Sequence, residues 1–221
     1  LGALSDSELY QAFDVCYDYD IFPVFQDYLE DKVPLERYAQ AVNQQESIYP
    51  DNYVKLRFLE NHDRARAAFL IPNHAARRNW EAFLYFQKGM TLLYAGQEAG
   101  CAHRPSLFDK DEVDWSDGLD DSDTLRELAA LKKHPLLTDS RYEVKALPGD
   151  ILYATHRKGD RQLVGLFSVR GNASPARVDA PDGFYPNLAL DEALVEVSEG
   201  MVSVRGFPIV FEAPWTGDRP N

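Results

Sequence analysis

Cysteine is nearly absent: Cys16 and Cys101 are the two thiols in 221 residues, and no CxxC spacing links them. A disulfide scaffold and a thiolate zinc site are excluded, and a reducing compartment is favoured. Positive charge is scarce as well. The chain has 23 basic against 36 acidic side chains, a formal net charge of -13, and no run of Lys or Arg forms a stripe that phosphates could follow. Nucleic acid is therefore not expected as a partner. No apolar run approaches the roughly 20 residues of a bilayer-spanning helix, and the opening LGALSDSELY lacks a basic-then-apolar leader layout. A soluble chain without a membrane partner is expected. There is no P-loop, no GxGxxG and no GxSxG elbow. What is present is 45% hydrophobic and 12% aromatic content, enough to bury a sizeable core in one large domain or two smaller ones. The chain opens on Leu1-Gly2, not Met, so an upstream segment is expected. The location expected from the thiols is cytoplasmic, with secretion left open by that upstream segment.

From about Ser5 to Thr138, short apolar runs alternate with longer helical patterns, the rhythm of βα units feeding a parallel sheet. The first run, AFDVCYDYDIFPVF, puts Phe13, Val15 and Tyr17 on one side of a period-two pattern, and FQDYLEDKVPLERYAQAV follows as helical turns interrupted at Pro34. The second, NYVKLRFLENHD, alternates Val54, Leu56 and Phe58 inward against Lys55 and Arg57 outward, and ARRNWEAFLYFQKG then reads as helix. The third, MTLLYAGQEAG, is a continuous apolar run ended by Gly96 and Gly100, as expected of a strand covered on both faces. DSDTLRELAALKKH reads as a capped amphipathic helix with Leu125, Leu128 and Leu131 on one face and Lys132, Lys133 and His134 in its last turn. From Tyr142 the rhythm changes to short β-type runs (YEVKAL, ILYATHR, LVGLFSV, ARVDA, LVEVS, MVSVRG, PIVFEA), which predicts a small antiparallel sandwich. The composition shift puts the boundary near Asp139, giving domains 1–140 and 141–221.

The triplet Asn61-His62-Asp63 stands at a strand's C-terminal end, where parallel sheets carry their chemistry because the βα loops converge there. The bland reading is that Asp63 or Asn61 caps the next helix and His62 is a hydrogen-bonded core histidine. Asp14, Asp18 and Asp20 around Tyr17 and Tyr19 suit carbohydrate recognition, where aromatic faces stack on sugars and carboxylates take hydroxyl hydrogen bonds, or else form a loop cluster before Pro23. The acidic loop from Asp109 to Asp123 invites calcium, but counting back from Gly118 puts Val113 and Trp115 where oxygen ligands are required. A solvated loop with a helix cap at Asp121 to Asp123 is expected instead, and no metal site is assigned. Asn172-Ala173-Ser174 is a formal glycosylation sequon followed by Pro175 and carries no weight.

FLENHD, MTLLYAGQEAG and PSLFDKDEVDW in this order, followed by a helix and a β-domain, give a chain that resembles the C-terminal half of the α-amylase family of glycoside hydrolases. AFDVCYDYD is similar to the sixth strand of that family's TIM (β/α)8 barrel. Phe58 to Asp63 is similar to the motif ending the seventh, and GMTLLYAGQEAG to the eighth, with Thr91 where many members have Pro. Residues from about 142 are similar to the C-terminal β-sandwich. The resemblance implies barrel strands 6–8 followed by an all-β antiparallel sandwich, in an enzyme acting on α-glucans such as starch, glycogen or maltooligosaccharides. It implies that Asp63 stabilises the transition state, that His62 and Asp63 bind the sugar, and that Asn61 supports their turn. Tyr17, Tyr19 and Tyr94 lie near strand ends and fit either a catalytic or a binding protein. The nucleophile and acid/base of a retaining glycosidase lie about 5 Å apart, on strands of the family that this chain does not match. The chain alone is therefore expected to be inactive and to pair with the missing N-terminal half or self-associate through exposed barrel edges. No cofactor is expected here, any calcium belonging to the upstream part. A glucan-modifying transferase and a non-catalytic carbohydrate-binding relative are the alternatives.

Overall fold

The computed structural model describes residues 6–116, 120–189, 193–215 and 217; Gly118, the pivot of the calcium count, lies outside them. Three short strands, β1 (Cys16–Tyr17), β2 (Lys55–Arg57) and β3 (Met90–Thr91), form a parallel sheet in that order. Cys16 pairs with Lys55, and Leu56 with both Tyr17 and Met90. Gly89 permits the close approach of β3: its φ is +109°, and a Cβ there would lie 2.4 Å from the Lys55 carbonyl oxygen.

The helices follow their sequence signals. α1 (Phe22–Leu29) has Pro23 in its first turn, and α2 (Leu35–Ile48) starts after Pro34, the expected interruption. A short α3 (Ala67–Leu70) precedes α4 (His74–Phe86), whose N-cap Asn73 accepts from the Ala76 amide at 3.1 Å. In α5 (Ser122–Leu131), Leu125, Leu128 and Leu131 are buried as expected. Its N-cap Asp121 makes no side-chain cap bond, because the carboxylate instead meets His74 Nε2 at 2.9 Å. Lys132, Lys133 and His134 lie beyond the last helical turn, not within it. Among the described residues, no helix is long and apolar enough to cross a membrane.

The strand faces depart from expectation. Phe13 and Tyr17 are exposed, and Cys16, Asp18 and Asp20 are buried. Lys55 and Arg57, expected outward, are both fully buried. Lys55 Nζ meets Asp20 Oδ2 at 2.8 Å and Arg57 Nη1 meets Asp18 Oδ2 at 2.6 Å. Gln45 of α2 donates to both aspartates, at 2.7 and 3.2 Å, and the Tyr49 hydroxyl donates to Asp20 at 2.6 Å. Charge turned inward because matched opposite charge stood two residues apart on the neighbouring strand, which offsets the desolvation that a lone buried ion would suffer. β3 is likewise not covered on both faces, since Met90 and Leu93 are exposed.

The C-terminal part is a β domain. Six of the seven expected runs form strands, β4 (Arg141–Leu147), β5 (Ile151–Lys158), β6 (Arg161–Ser168), β9 (Leu194–Val197), β10 (Met201–Arg205) and β11 (Ile209–Pro214), whereas β7 (Ala173–Arg177) starts earlier than the expected ARVDA and keeps only its first two residues. An eighth, β8 (Gly183–Pro186), gave no sequence signal because Gly and Pro flank only two aromatics. One sheet has the order β11-β6-β5-β4, and β8-β9 and β10-β7 are separate antiparallel pairs. Ile151, Val164, Leu166 and Phe211 pack on Ala176, Val195, Val202 and Val204 as the sandwich core. The sheet's other face, with Leu152, Leu163, Phe167 and Val210, joins one continuous core with Trp80, Phe83 and Phe86 of α4 and Tyr38 and Val42 of α2. Coverage on both faces is why β5 and β6 are buried at nearly every position, with apolar stretches Ile151 to Ala154 and Leu163 to Phe167 at their centres.

Side-chain amides fasten the helices to this domain. Asn43 acts as an extra strand position for β4, donating to the Val144 carbonyl at 2.7 Å and accepting from its amide at 2.9 Å. Asn79, fully buried, accepts from the Ser168 amide at 2.8 Å and donates to the Ala75 and Gly206 carbonyls at 2.9 and 2.8 Å. Asn79→Ala is predicted to destabilise the fold by roughly 2–4 kcal/mol, since it orphans buried backbone groups at about 1–3 kcal/mol each. Chemical denaturation of parent and variant reads this directly.

His156 supplies a pH-dependent test. It is buried under Tyr142, with ring centroids 4.5 Å apart. Its Nε2 lies 2.9 Å from the Phe86 carbonyl oxygen and its Nδ1 2.8 Å from Ser140 Oγ. Burial pushes its pKa down to about 3. The unfolded chain protonates this ring near its ordinary value of about 6.5 and the folded chain resists to about 3. The stability it contributes is therefore present above about pH 6.5 and lost as pH falls towards 3, at about 1.4 kcal/mol per pH unit. Unfolding free energies measured from pH 7 to 4 should show this slope reduced by that amount in His156→Gln.

Candidate active site

The chain continues from β2 through the buried Phe58 and Leu59 to Glu60, and the six residues Asn61 to Arg66 form the turn before α3. Asn61 is buried and organises that turn. Its Oδ1 accepts from the Asp63 amide at 3.0 Å, its carbonyl accepts from the Arg64 amide at 3.1 Å, and its Nδ2 donates to the Tyr19 hydroxyl at 2.9 Å. His62 and Asp63 project outward with side chains 51% and 53% exposed, and His62 Nε2 lies 3.4 Å from Asp63 Oδ2. The Tyr19 hydroxyl donates to the same oxygen at 3.4 Å. The bland readings do not describe these groups. α3 has Arg66 as its N-cap without a side-chain cap bond, and His62 is not a core residue.

Aromatic rings floor the turn. Tyr17 and Tyr19 stack at 5.7 Å, Phe58 meets Tyr19 edge-on at 5.1 Å, and the Arg64 guanidinium lies 5.1 Å from the Tyr19 ring centroid. The structure brings Tyr19 to Asn61 and Asp63, with Tyr17 stacked on Tyr19, but it does not bring Asp18 and Asp20, which are committed to Arg57 and Lys55. Asp14 is exposed, one strand end away from the turn.

Two residues that sequence reasoning passed over, Glu60 and Arg66, close the turn from beneath. Both are 1% exposed, and Arg66 Nη1 meets Glu60 Oε1 at 2.6 Å while Glu60 Oε2 accepts from the Ala67 amide at 2.5 Å. Burial raises the Glu60 pKa above its ordinary value, with Arg66 and the Ala67 amide opposing. Arg66 also reaches the segment after β3, donating from Nη1 to the Ala95 carbonyl at 2.9 Å and from Nε to the His103 carbonyl at 3.1 Å. Its guanidinium stands 4.5 Å from the Tyr94 ring centroid. Gly96 keeps that segment close: its φ is +94°, and a Cβ would come 2.8 Å from Val113. The available signal was a Glu and an Arg flanking a polar triplet, six positions apart, too wide for a helical pair.

Chemically the turn offers a half-exposed carboxylate, an imidazole beside it and an aromatic wall, all held by buried groups. Such a set accepts hydrogen bonds from hydroxyls and stabilises positive charge developing next to Asp63. Among the described residues, no group of three or more His, Cys, Asp or Glu could hold a metal ion.

Comparison with known proteins supplies the context. Residues 143–211 match the family described as Bacterial Alpha amylase C-terminal domain. The chain is 24% identical over 139 residues to Alpha-amylase 2 of Dictyoglomus thermophilum, covering 57% of this chain and 25% of that protein. Among solved structures, an alpha-amylase from Lactobacillus plantarum is similar with a TM-score of 0.89 and 36% identity, over 94% of this chain and 49% of that one. A noncanonic maltogenic alpha-amylase from Thermotoga neapolitana gives a TM-score of 0.81 and 25% identity, over 95% and 53%. The chain thus spans a quarter of the curated relative and about half of each solved structure. Taken together, the matched C-terminal domain, the curated relative and these structures show that this chain is an alpha-amylase family C-terminal region.

Proposed function

We propose that the chain supplies the substrate-gripping end of an alpha-amylase-like retaining glycoside hydrolase acting on α-glucans. In this reading β1, β2 and β3 are the sixth, seventh and eighth strands of a (β/α)8 barrel made by residues 1–140, and residues 141–221 are the appended β domain. The observation that carries it is the half-exposed Asp63 carboxylate at the C-terminal end of a parallel strand, held by Asn61 and Tyr19. Asp63 grips ring hydroxyls more tightly as the sugar flattens towards an oxocarbenium ion, His62 hydrogen-bonds the same sugar, and Asn61 keeps both in place.

Exposed apolar side chains in and beside the short strands fit further strands alongside. Phe13, Met90 and Leu93 are 61%, 51% and 43% exposed, apolar surface that the rest of a barrel would cover. By the resemblance, that remainder brings the nucleophile and the acid, which Asp63 and His62 cannot replace.

Two outcomes are expected when sugar release from maltooligosaccharides is assayed. The 221-residue chain alone shows no turnover, and the protein extended by its upstream coding segment does. Turnover by the chain alone, or by neither protein, overturns the reading. In the extended protein, Asp63→Asn should lower kcat on the order of 100-fold or more with the melting temperature unchanged, as for a group whose interaction is made mainly in the transition state. A kcat within a few-fold of the parent would reduce Asp63 to a structural residue.

A further inference from the structure

The Asn61–Asp63 turn and the segment after β3 share one buried fastener. Glu60 sits at the end of β2 and Arg66 at the entry to α3, and their ion pair closes the loop between them. The second Glu60 oxygen holds the Ala67 amide, so a single carboxylate ties down both the side chain and the backbone on the far side of the turn. The guanidinium then spends its remaining reach on the neighbouring loop. Nη1 is shared between Glu60 and the Ala95 carbonyl, Nε takes the His103 carbonyl, and the Tyr94 ring lies against the plane. Ala95 follows Tyr94 directly, and His103 anchors a loop that its own Nε2 closes onto Asp111 at 2.8 Å.

We propose that Arg66, seated by Glu60, is a positioning residue that locks the loop bearing His62 and Asp63 to the loop after β3. The two substrate-facing loops then keep one fixed relative geometry. The inference rests on the reading of the turn as a sugar-binding site and adds what sets its precision. Only a planar, multi-donor fork serves both loops. A lysine would keep the charge and the Glu60 partner but has one nitrogen for three acceptors that lie in different directions. Arg66 touches no substrate, and its effect passes through the backbone at Ala67, Ala95 and His103.

The test uses the protein extended by its upstream segment, with Arg66→Lys, Glu60→Gln and Asp63→Asn beside the parent. Steady-state hydrolysis of maltooligosaccharides and amide hydrogen exchange of residues 61–67 and 94–103 are measured together. For Arg66→Lys, kcat is expected to fall roughly 10- to 100-fold, the scale of a small misplacement in an active site, with KM within about three-fold. Exchange should speed up in both segments at once. Glu60→Gln, which keeps the shape and loses the charge, should shift the same readouts in the same direction and serves if Arg66→Lys does not fold. Parent-like kcat in the folded variant, or faster exchange confined to one segment, overturns the proposal. If Asp63→Asn retains the parent's kcat while Arg66→Lys loosens both loops, it is the reading of the turn as a site that has failed, and the catalytic part of the proposal falls with it.

Discussion

Two ion pairs sealed between the first two strands and α2 carry the parallel sheet. Lys55 with Asp20 and Arg57 with Asp18 are fully or nearly buried, with Gln45 donating to both carboxylates and the Tyr49 hydroxyl donating to Asp20 Oδ2. Removing one partner of such a pair typically costs about 3–5 kcal/mol, because the survivor is left charged without water. The pairs also fix register, since a slip of one residue would turn both cations to the opposite face of the sheet. Tyr19 stands between Asp18 and Asp20, so anchoring both neighbours leaves its ring one position, over the strand ends. From there its hydroxyl accepts from Asn61 and donates to Asp63. The geometry of the exposed turn is thus inherited from charges on the other face of the sheet.

The β domain supports this arrangement from the far side of the helices. Its main sheet is buried on both faces, and the side facing α2 and α4 belongs to the same core as Phe58 and Leu59 beneath the turn. Trp80 joins the two regions, with Phe25 and Tyr38 rings edge-on at 4.9 and 5.2 Å. The amides of Asn43 and Asn79 fix how the helices seat on the sheet. Between strand turn and β domain, Phe58, Leu59, Trp80 and Phe83 belong to one core and line a small internal cavity along the path.

The helices were legible because their signals are local: Pro34 and the Leu125, Leu128, Leu131 stripe each act within one or two turns, whereas the Asn73 cap emerged only with the fold. The β domain was legible because its turns punctuate it; only β8, too short and too rich in Gly and Pro, escaped. The parallel strands were misjudged at Lys55 and Arg57 because period-two reasoning sends charge to water, whereas here the partner charges sit on a strand about forty residues away. The matching two-residue spacing in Asp18 and Asp20 was visible, but it gains meaning only once β1 and β2 are known to be neighbours. The same limit hid Arg66. His62 and Asp63 could be read from their place at a strand end, while the residue tying their loop to the next one is recognisable only from carbonyls brought to it by the fold.

Charge bears on what such a turn would hold. The chain carries a formal net charge of -13, and the cations nearest Asp63 are already engaged. Arg66 is spent on Glu60 and two carbonyls, and Arg64 lies over the Tyr19 and Phe22 rings. An anionic ligand approaching this end of the sheet would meet the Asp63 carboxylate inside a net negative field that repels it. A neutral polyhydroxylated ligand meets no such penalty. In the proposed function its hydroxyls would donate to Asp63, its ring faces would meet Tyr17 and Tyr19, and His62 would donate or accept according to its tautomer. The negative field around the turn is therefore consistent with the proposed neutral sugar ligand and disfavours a phosphorylated or carboxylated one.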